Sequence, residues 1–201
     1  MRKSPKGKNT WADHYTRKAQ KEGYAARSVY KLKEIQNKFT LIKKNDHVLD
    51  LGCAPGSWLL YASELTGDGG IVVGIDLKEV SLDGIKPHVK IFQADVLSPS
   101  EEVAKVLSNP FDVVLSDMAP DTTGNKFTDA ARSTELSKAA LETAKTVLKK
   151  NGSFVCKIFQ GEDFEDFYKE IKYVFKISKL YKPDSTRKAS KEIYIIGKEL
   201  K

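Results

Sequence analysis

Apolar and β-branched residues gather in short runs along this chain, and stretches of helical period separate the runs. His47–Leu51, Ile71–Asp76, Val89–Asp95, Phe111–Asp117 and Ser153–Phe159 each read as a buried strand. Between them, Ser57–Leu65 is predicted to be helical, ending at the loop signal Thr66-Gly67-Asp68-Gly69-Gly70. Pro99–Leu107 is a second helix. Asp129–Lys150 is a long third one, with Leu136, Ala140, Val147 and Leu148 on one side and Gly152 as its stop. Asp121–Thr128 is a polar loop, and Phe164, Phe167, Ile171 and Phe175 mark a further helix. Upstream, Val29, Leu32, Ile35 and Phe39 recur at helical spacing, so one or two helices are expected over Asp13–Phe39, behind a basic arm of residues 1–12. Lys176–Lys182 and Glu192–Lys198 are expected as two antiparallel strands around the loop Pro183–Lys191. Strand and helix alternate over nearly the whole length. That pattern predicts an α/β domain with a mostly parallel, doubly wound sheet closed by an antiparallel C-terminal strand.

Composition narrows the class. Hydrophobic residues make up 40% and charged residues 30% of 201, which fits a globular domain. No apolar run approaches the roughly 18 residues of a membrane span. The basic start, Met1 to Lys6, has no apolar segment behind it and does not read as a secretory signal. Cys53 and Cys156 fall within or just after apolar runs and read as small buried thiols suited to a reducing cytoplasm. His14, His47 and His88 are scattered without metal-ligand spacing, so no metal is expected.

Charge adds a partner. The net charge of +7 is unevenly placed: residues 1–33 hold ten Lys or Arg against only Asp13 and Glu22. Trp11, Tyr15, Tyr24 and Tyr30 are interleaved among those cations. Cations for phosphates and flat rings for bases make an RNA-binding footprint. The plainer alternative is a solvated basic tail.

The candidate chemistry lies at strand ends. Asp50-Leu51-Gly52-Cys53-Ala54-Pro55-Gly56-Ser57-Trp58 reads as a strand running into a tight glycine loop and then a helix. Parallel α/β sheets bind ligands in this position. Asp76, 20 residues past Gly56, ends the second strand, where an acid can accept from ribose hydroxyls, and Asp95 ends the third. The loop is not the Gly-x-Gly-x-x-Gly of a dinucleotide site, and no Gly-Lys-Ser/Thr phosphate loop is present. An adenosine ligand without phosphate, S-adenosylmethionine, is therefore expected, with Asp95 toward the adenine amino group. A single strand-end Asp could equally cap a helix. Lys157 is the sharper anomaly, because a lysine inside an apolar strand loses hydration unless it is partnered or snorkels to the sheet edge.

With these residues in view, the chain resembles the FtsJ-type (RrmJ-type, RlmE) ribosomal RNA 2′-O-ribose methyltransferases over residues 13–198. The resemblance rests on Tyr30-Lys31-Leu32-Lys33-Glu34-Ile35, the Asp50–Trp58 loop, Ser116-Asp117-Met118-Ala119-Pro120, Lys157, and Ser185-x-Arg187-x-x-Ser190-x-Glu192. It implies a Rossmann-like S-adenosylmethionine-dependent methyltransferase fold. It also implies a catalytic tetrad of Lys31, Asp117, Lys157 and Glu192, and cofactor contacts from Gly56, Trp58, Asp76, Asp95 and Asp117. Family members often carry Arg-Ser-Arg just before the first tetrad lysine; here Ala25 and Ala26 take the first two places and only Arg27 remains. Cys53 and Ser57 replace residues that are commonly Ala and Gly.

The implied reaction is transfer of a methyl group to a ribose 2′-oxygen, at a uridine of large-subunit (23S) ribosomal RNA. A neutral Lys157 would serve as the base, and Asp117 and Glu192 would orient the lysines and the hydroxyl. The alternatives are a transfer RNA anticodon-loop 2′-O-methyltransferase and a non-catalytic RNA-binding assembly factor. The remaining expectations are residues 1–40 as an RNA-contacting arm and helices packed on a methyltransferase domain of residues 41–201, a monomer, and a cytoplasmic location.

Overall fold

The computed structural model describes residues 10–82 and 84–201, with side chains from residue 14 onward. The expected basic arm falls mostly on residues 1–9, outside the described residues. The elements are α1 (Thr10–Lys21), α2 (Val29–Phe39), β1 (His47–Leu51), α3 (Ser57–Thr66), β2 (Ile71–Asp76), β3 (Val89–Gln93) and α4 (Glu101–Leu107). They continue with β4 (Phe111–Ser116), α5 (Lys126–Val147), β5 (Leu148–Phe159), α6 (Phe164–Val174), β6 (Phe175–Tyr181) and β7 (Glu192–Leu200).

The seven strands form one sheet in the order β3-β2-β1-β4-β5-β7-β6. Pairings among β1 to β5 are parallel, and β7 runs antiparallel between β5 and β6. The strand order reverses between β1 and β4, so a ligand crevice opens there at the carboxyl ends of the strands. Both faces of the sheet are buried. One packs Leu49, Leu51, Val114, Phe154 and Ile158 against α5 and α6 residues such as Leu141 and Phe167. The other packs Val48, Val72, Val113, Leu115, Val155 and Ile196 against Leu32 and Ile35 of α2 and Leu59 and Ala62 of α3.

Several boundaries differ from the sequence reading, each for a local reason. The Asp13–Phe39 stretch is two helices, broken at Gly23, whose φ of 83° ends α1. The long helix begins earlier, because the Asn125 side chain accepts from the N–H groups of Phe127 and Thr128 and caps it. It also ends earlier, at Val147, since Leu148–Gly152 already belongs to β5. Phe175 opens β6 instead of closing a helix, with its ring stacked 5.9 Å from that of Phe154. β3 and β4 stop at Gln93 and Ser116, leaving Asp95 and Asp117 just beyond their strands.

Candidate active site

Alternation along the strands decides which side chains can meet, because every second residue faces the same way. On β4 the face toward α2 carries Val113 and Leu115, and the next position of that parity is Asp117. On β5 it carries Val155 and then Lys157, and on β7 it carries Ile196, Tyr194 and Glu192. Lys157 pairs with Tyr194 in register, and Phe159 with Glu192. One face of three adjacent strands thus changes from apolar to ionisable at one end of the sheet.

The Lys157 side chain is only 6% exposed. It donates to the Asp117 main-chain oxygen and, at 2.9 Å, to Asp117 Oδ1. The Tyr194 hydroxyl, wholly buried, donates to the same Oδ1 at 2.7 Å. Burial alone would raise the Asp117 carboxyl. The charges of Lys157 and Lys31, with the hydrogen bonds from Lys157 and Tyr194, outweigh that and hold it below the usual range. Burial pushes the Tyr194 phenol well above its ordinary value, and Asp117 and Glu192 add to the shift. α5 steadies the strand from the other side: Ser137 Oγ donates to the Lys157 carbonyl at 2.9 Å, and Phe159 N donates to Ser133 Oγ at 3.0 Å.

Lys31 comes from α2, which is fastened over this end of the sheet. Ala26 N donates to Ser57 Oγ at 2.8 Å, and the Trp58 indole donates to Ser28 O at 2.8 Å, so the start of α2 is tied to the start of α3. At the far end, Lys198 donates to Phe39 O at 3.0 Å, a cation on the negative end of the helix. Lys31 Nζ then lies 2.6 Å from Glu192 Oε1 and 5.8 Å from the centre of the Tyr194 ring. The four residues of the expected tetrad are brought together, with Tyr194 among them.

The expected cofactor residues divide. Asp76 Oδ2 accepts from Ala54 N and Oδ1 from Lys78 N, each at 2.8 Å, so this acid holds the glycine loop in place. Its remaining lone pairs can still accept from hydroxyls. Asp95 Oδ1 accepts from Leu97 N at 2.9 Å, and its other oxygen accepts from no described group. Gly52 and Gly56 have φ of 75° and 100°, and a Cβ at either would collide with Met118 or Leu82 respectively. The glycines therefore admit close neighbours from this chain itself. Trp58 is buried, with its ring 5.8 Å from Tyr194 and its N–H committed to Ser28, so the structure seats it in the joint between α2 and α3. These donors and acceptors suit an adenosine-type group at the ends of β2 and β3.

Sequence reasoning missed four features. Tyr194 reads as filler in an apolar strand; its signal is its parity with Glu192. Leu77 and Leu97 stand exposed beside Asp76 and Asp95, apolar positions next to strand-end acids. Glu34 accepts from Asp184 N at 2.6 Å, Ser185 N at 2.9 Å and the Tyr181 hydroxyl at 3.4 Å, pinning the loop that leads to Glu192 onto the helix that carries Lys31. Asp50, fully buried on β1, has no hydrogen-bond partner among the described residues for either oxygen, and burial, then Asp117 and Asp76, push its carboxyl well above the usual range. Among the described residues no group of three His, Cys, Asp or Glu is placed to hold a metal, and no helix is long and apolar enough to cross a membrane.

Comparison with known proteins identifies the family. The FtsJ-like methyltransferase family model matches residues 24–200. The ribosomal RNA large subunit methyltransferase E of Desulfatibacillum aliphaticivorans is 53% identical over 197 residues, covering 98% of this chain and 95% of that protein. The protein of the same name from Bdellovibrio bacteriovorus is 50% identical over 188 residues, covering 92% and 95%. A crystal structure described as a ribosomal RNA methyltransferase from Plasmodium falciparum superposes with a TM-score of 0.75 at 28% identity, covering 88% of this chain and 98% of that one. By these matches, and by the Rossmann-like sheet described above, the chain belongs to the FtsJ-like methyltransferase family.

Proposed function

We propose that this protein uses S-adenosylmethionine to methylate the 2′-oxygen of a ribose, at a uridine of large-subunit (23S) ribosomal RNA. The observation that carries the reading is the cluster of Lys157, Asp117, Tyr194, Lys31 and Glu192 at the mouth of the crevice, two cation–anion pairs in contact with one buried phenol. When bound, the cofactor supplies an electrophilic methyl on a sulfonium. Asp76 and Asp95 would hold its ribose and adenine ends, with the Gly56 turn and Trp58 behind them and Asp117 facing the reacting end.

The chain's own contribution is to present and deprotonate the hydroxyl. As a base Lys157 acts in its deprotonated form, not as the paired cation of the resting cluster, and a deprotonated lysine amine has two N–H donors and one lone pair. The two bonds from Lys157 to Asp117 use both donors and leave the lone pair for the 2′-hydroxyl proton. Lys31, held by Glu192, stands ready to steady the developing negative oxygen. Alignment of the reacting atoms is worth several further kcal/mol. Arg27 and the exposed Arg187 lie close enough to repel one another beside Glu192, a pairing that suits an RNA phosphate. The helices of residues 1–40 would extend that contact from the methyltransferase domain of residues 41–201.

Comparing 2′-O-methyl maps of ribosomal and transfer RNA from cells with and without this chain tests the reading. One large-subunit uridine losing its methyl group is the expected result. A lost methyl in a transfer RNA anticodon loop would move the substrate assignment, and unchanged maps would overturn the reaction.

A further inference from the structure

Beside the reaction centre lies a second hollow, a cleft of about 320 Å³ between the first turns of α5 and the segment that follows β5. Its floor is made of small groups. A Cβ on Gly161 would come within 2.6 Å of the Ala130 Cβ, so glycine is what lets the two segments touch there. One wall is Phe127, whose side chain is 75% exposed and has no ring or cation partner among the described residues. It continues the edge of the buried stripe of α5, three residues before Ala130 and seven before Thr134, but sits on the first turn, where no other element covers it. Its backbone is nevertheless fixed. Asn125 Oδ1 accepts from Phe127 N at 3.0 Å, and Asp129 accepts from Thr123 N and Oγ1 at 2.8 and 2.9 Å, locking the preceding loop.

The rim joins the proposed catalytic cluster directly. Gln160 N donates to Lys191 O at 3.0 Å, and Lys191 immediately precedes Glu192. Gly161 is four residues beyond Lys157, a span of at most about 14 Å. The charges lining the cleft balance, Lys126 and Lys191 against Glu162 and Asp163. A balanced, partly apolar hollow with a free ring suits an uncharged flat heterocycle better than a phosphate.

We propose that this cleft receives a nucleobase flanking the methylated ribose, stacked on Phe127. This rests on the RNA reading above. The cleft sets how the strand is held and leaves the methyl-transfer step to Lys157 and its neighbours.

The test compares wild type with F127A, F127L and F127W. It measures kinetics on large ribosomal subunits from cells lacking this chain, and filter binding to protein-free ribosomal RNA at fixed salt. Loss of a base–aromatic stack predicts a rise in KM and in RNA Kd of about 5- to 140-fold for F127A, with kcat and cofactor affinity unchanged. F127W should stay within about threefold of wild type, because a larger ring stacks at least as well. F127L should behave like F127A. Because the side chain is exposed, all four proteins should melt together. Wild-type KM and RNA affinity in F127A, or full rescue by leucine, would overturn the proposal. If no form methylates RNA while F127A still weakens binding and F127W restores it, the cleft stands and the reaction assignment falls.

Discussion

Replacing Tyr194 with phenylalanine removes one oxygen atom from the centre of the cluster and leaves its packing intact. The lost hydroxyl donates at 2.7 Å to Asp117 Oδ1, an acceptor shared with Lys157. A hydrogen bond to an ionised group contributes about 1.5–3 kcal/mol. For a domain of this length each kcal/mol moves the melting temperature by about 2–4 °C, so Y194F should melt about 3–12 °C lower at neutral pH. The effect has a defined pH sign. The Asp117 carboxyl is held below its ordinary value, so the stability it contributes is complete above the unfolded carboxylate pKa of about 3.9 and is lost as pH falls through the lower folded value. Y194F weakens that hold, so the gap between the two melting curves should be widest near pH 7 and close toward acid. Turnover should fall about 10- to 100-fold, the usual cost of loosening a positioned reacting group, with cofactor affinity retained. Equal melting temperatures at pH 7 would show that the Tyr194 hydroxyl adds nothing to the Asp117 site. So would a gap that stays constant into acid, since that would place the effect in packing.

The other expectations concern residues around this centre. Glu34→Ala should lower kcat at least about tenfold without changing cofactor affinity, because the segment at Asp184 and Ser185 loses its anchor to the helix of Lys31. Glu34→Gln should recover part of that loss, its one amide oxygen still accepting from a main-chain N–H. Asp50 carries the opposite pH sign to Asp117: an acid with a raised folded value subtracts stability as pH climbs above about 3.9, at about 1.4 kcal/mol per pH unit until the folded value is reached. Asp50→Asn should flatten that part of the stability–pH curve, measured by denaturant unfolding at several pH values; an unaltered slope would show that Asp50 does not hold a proton. Asp76→Ala should raise the cofactor Kd at least about tenfold by calorimetry, since the glycine loop loses its link to Ala54 along with a hydroxyl acceptor.

Much of this site is legible in the amino-acid sequence alone. Lys157 stands out because charge in an apolar strand has to be compensated, and Asp76 and Asp95 because acids close successive buried runs. Their assembly with Asp117 and Glu192 follows from parity once the register of β5 against β7 is known. What stays hidden depends on long-range contact. Nothing local marks Glu34 as the partner of main-chain groups 150 residues away, or Ser57 as the acceptor that ties down Ala26. Tyr194 carries its polar function at the tip of an otherwise apolar side chain, so composition hides it. The α5–β5 boundary departs from the helical pattern because Leu148–Gly152 pairs with the sheet, a tertiary preference that overrides the periodicity before it.

In the proposed mechanism Lys157 accepts the proton from the ribose hydroxyl. Methyl transfer by Lys157→Ala to large ribosomal subunits, measured beside its cofactor affinity, tests it most directly. Removing the base should cost at least about 10²- to 10⁴-fold in kcat, the usual range for a general base, with cofactor affinity close to wild type. Turnover near the wild-type rate in that variant would contradict it.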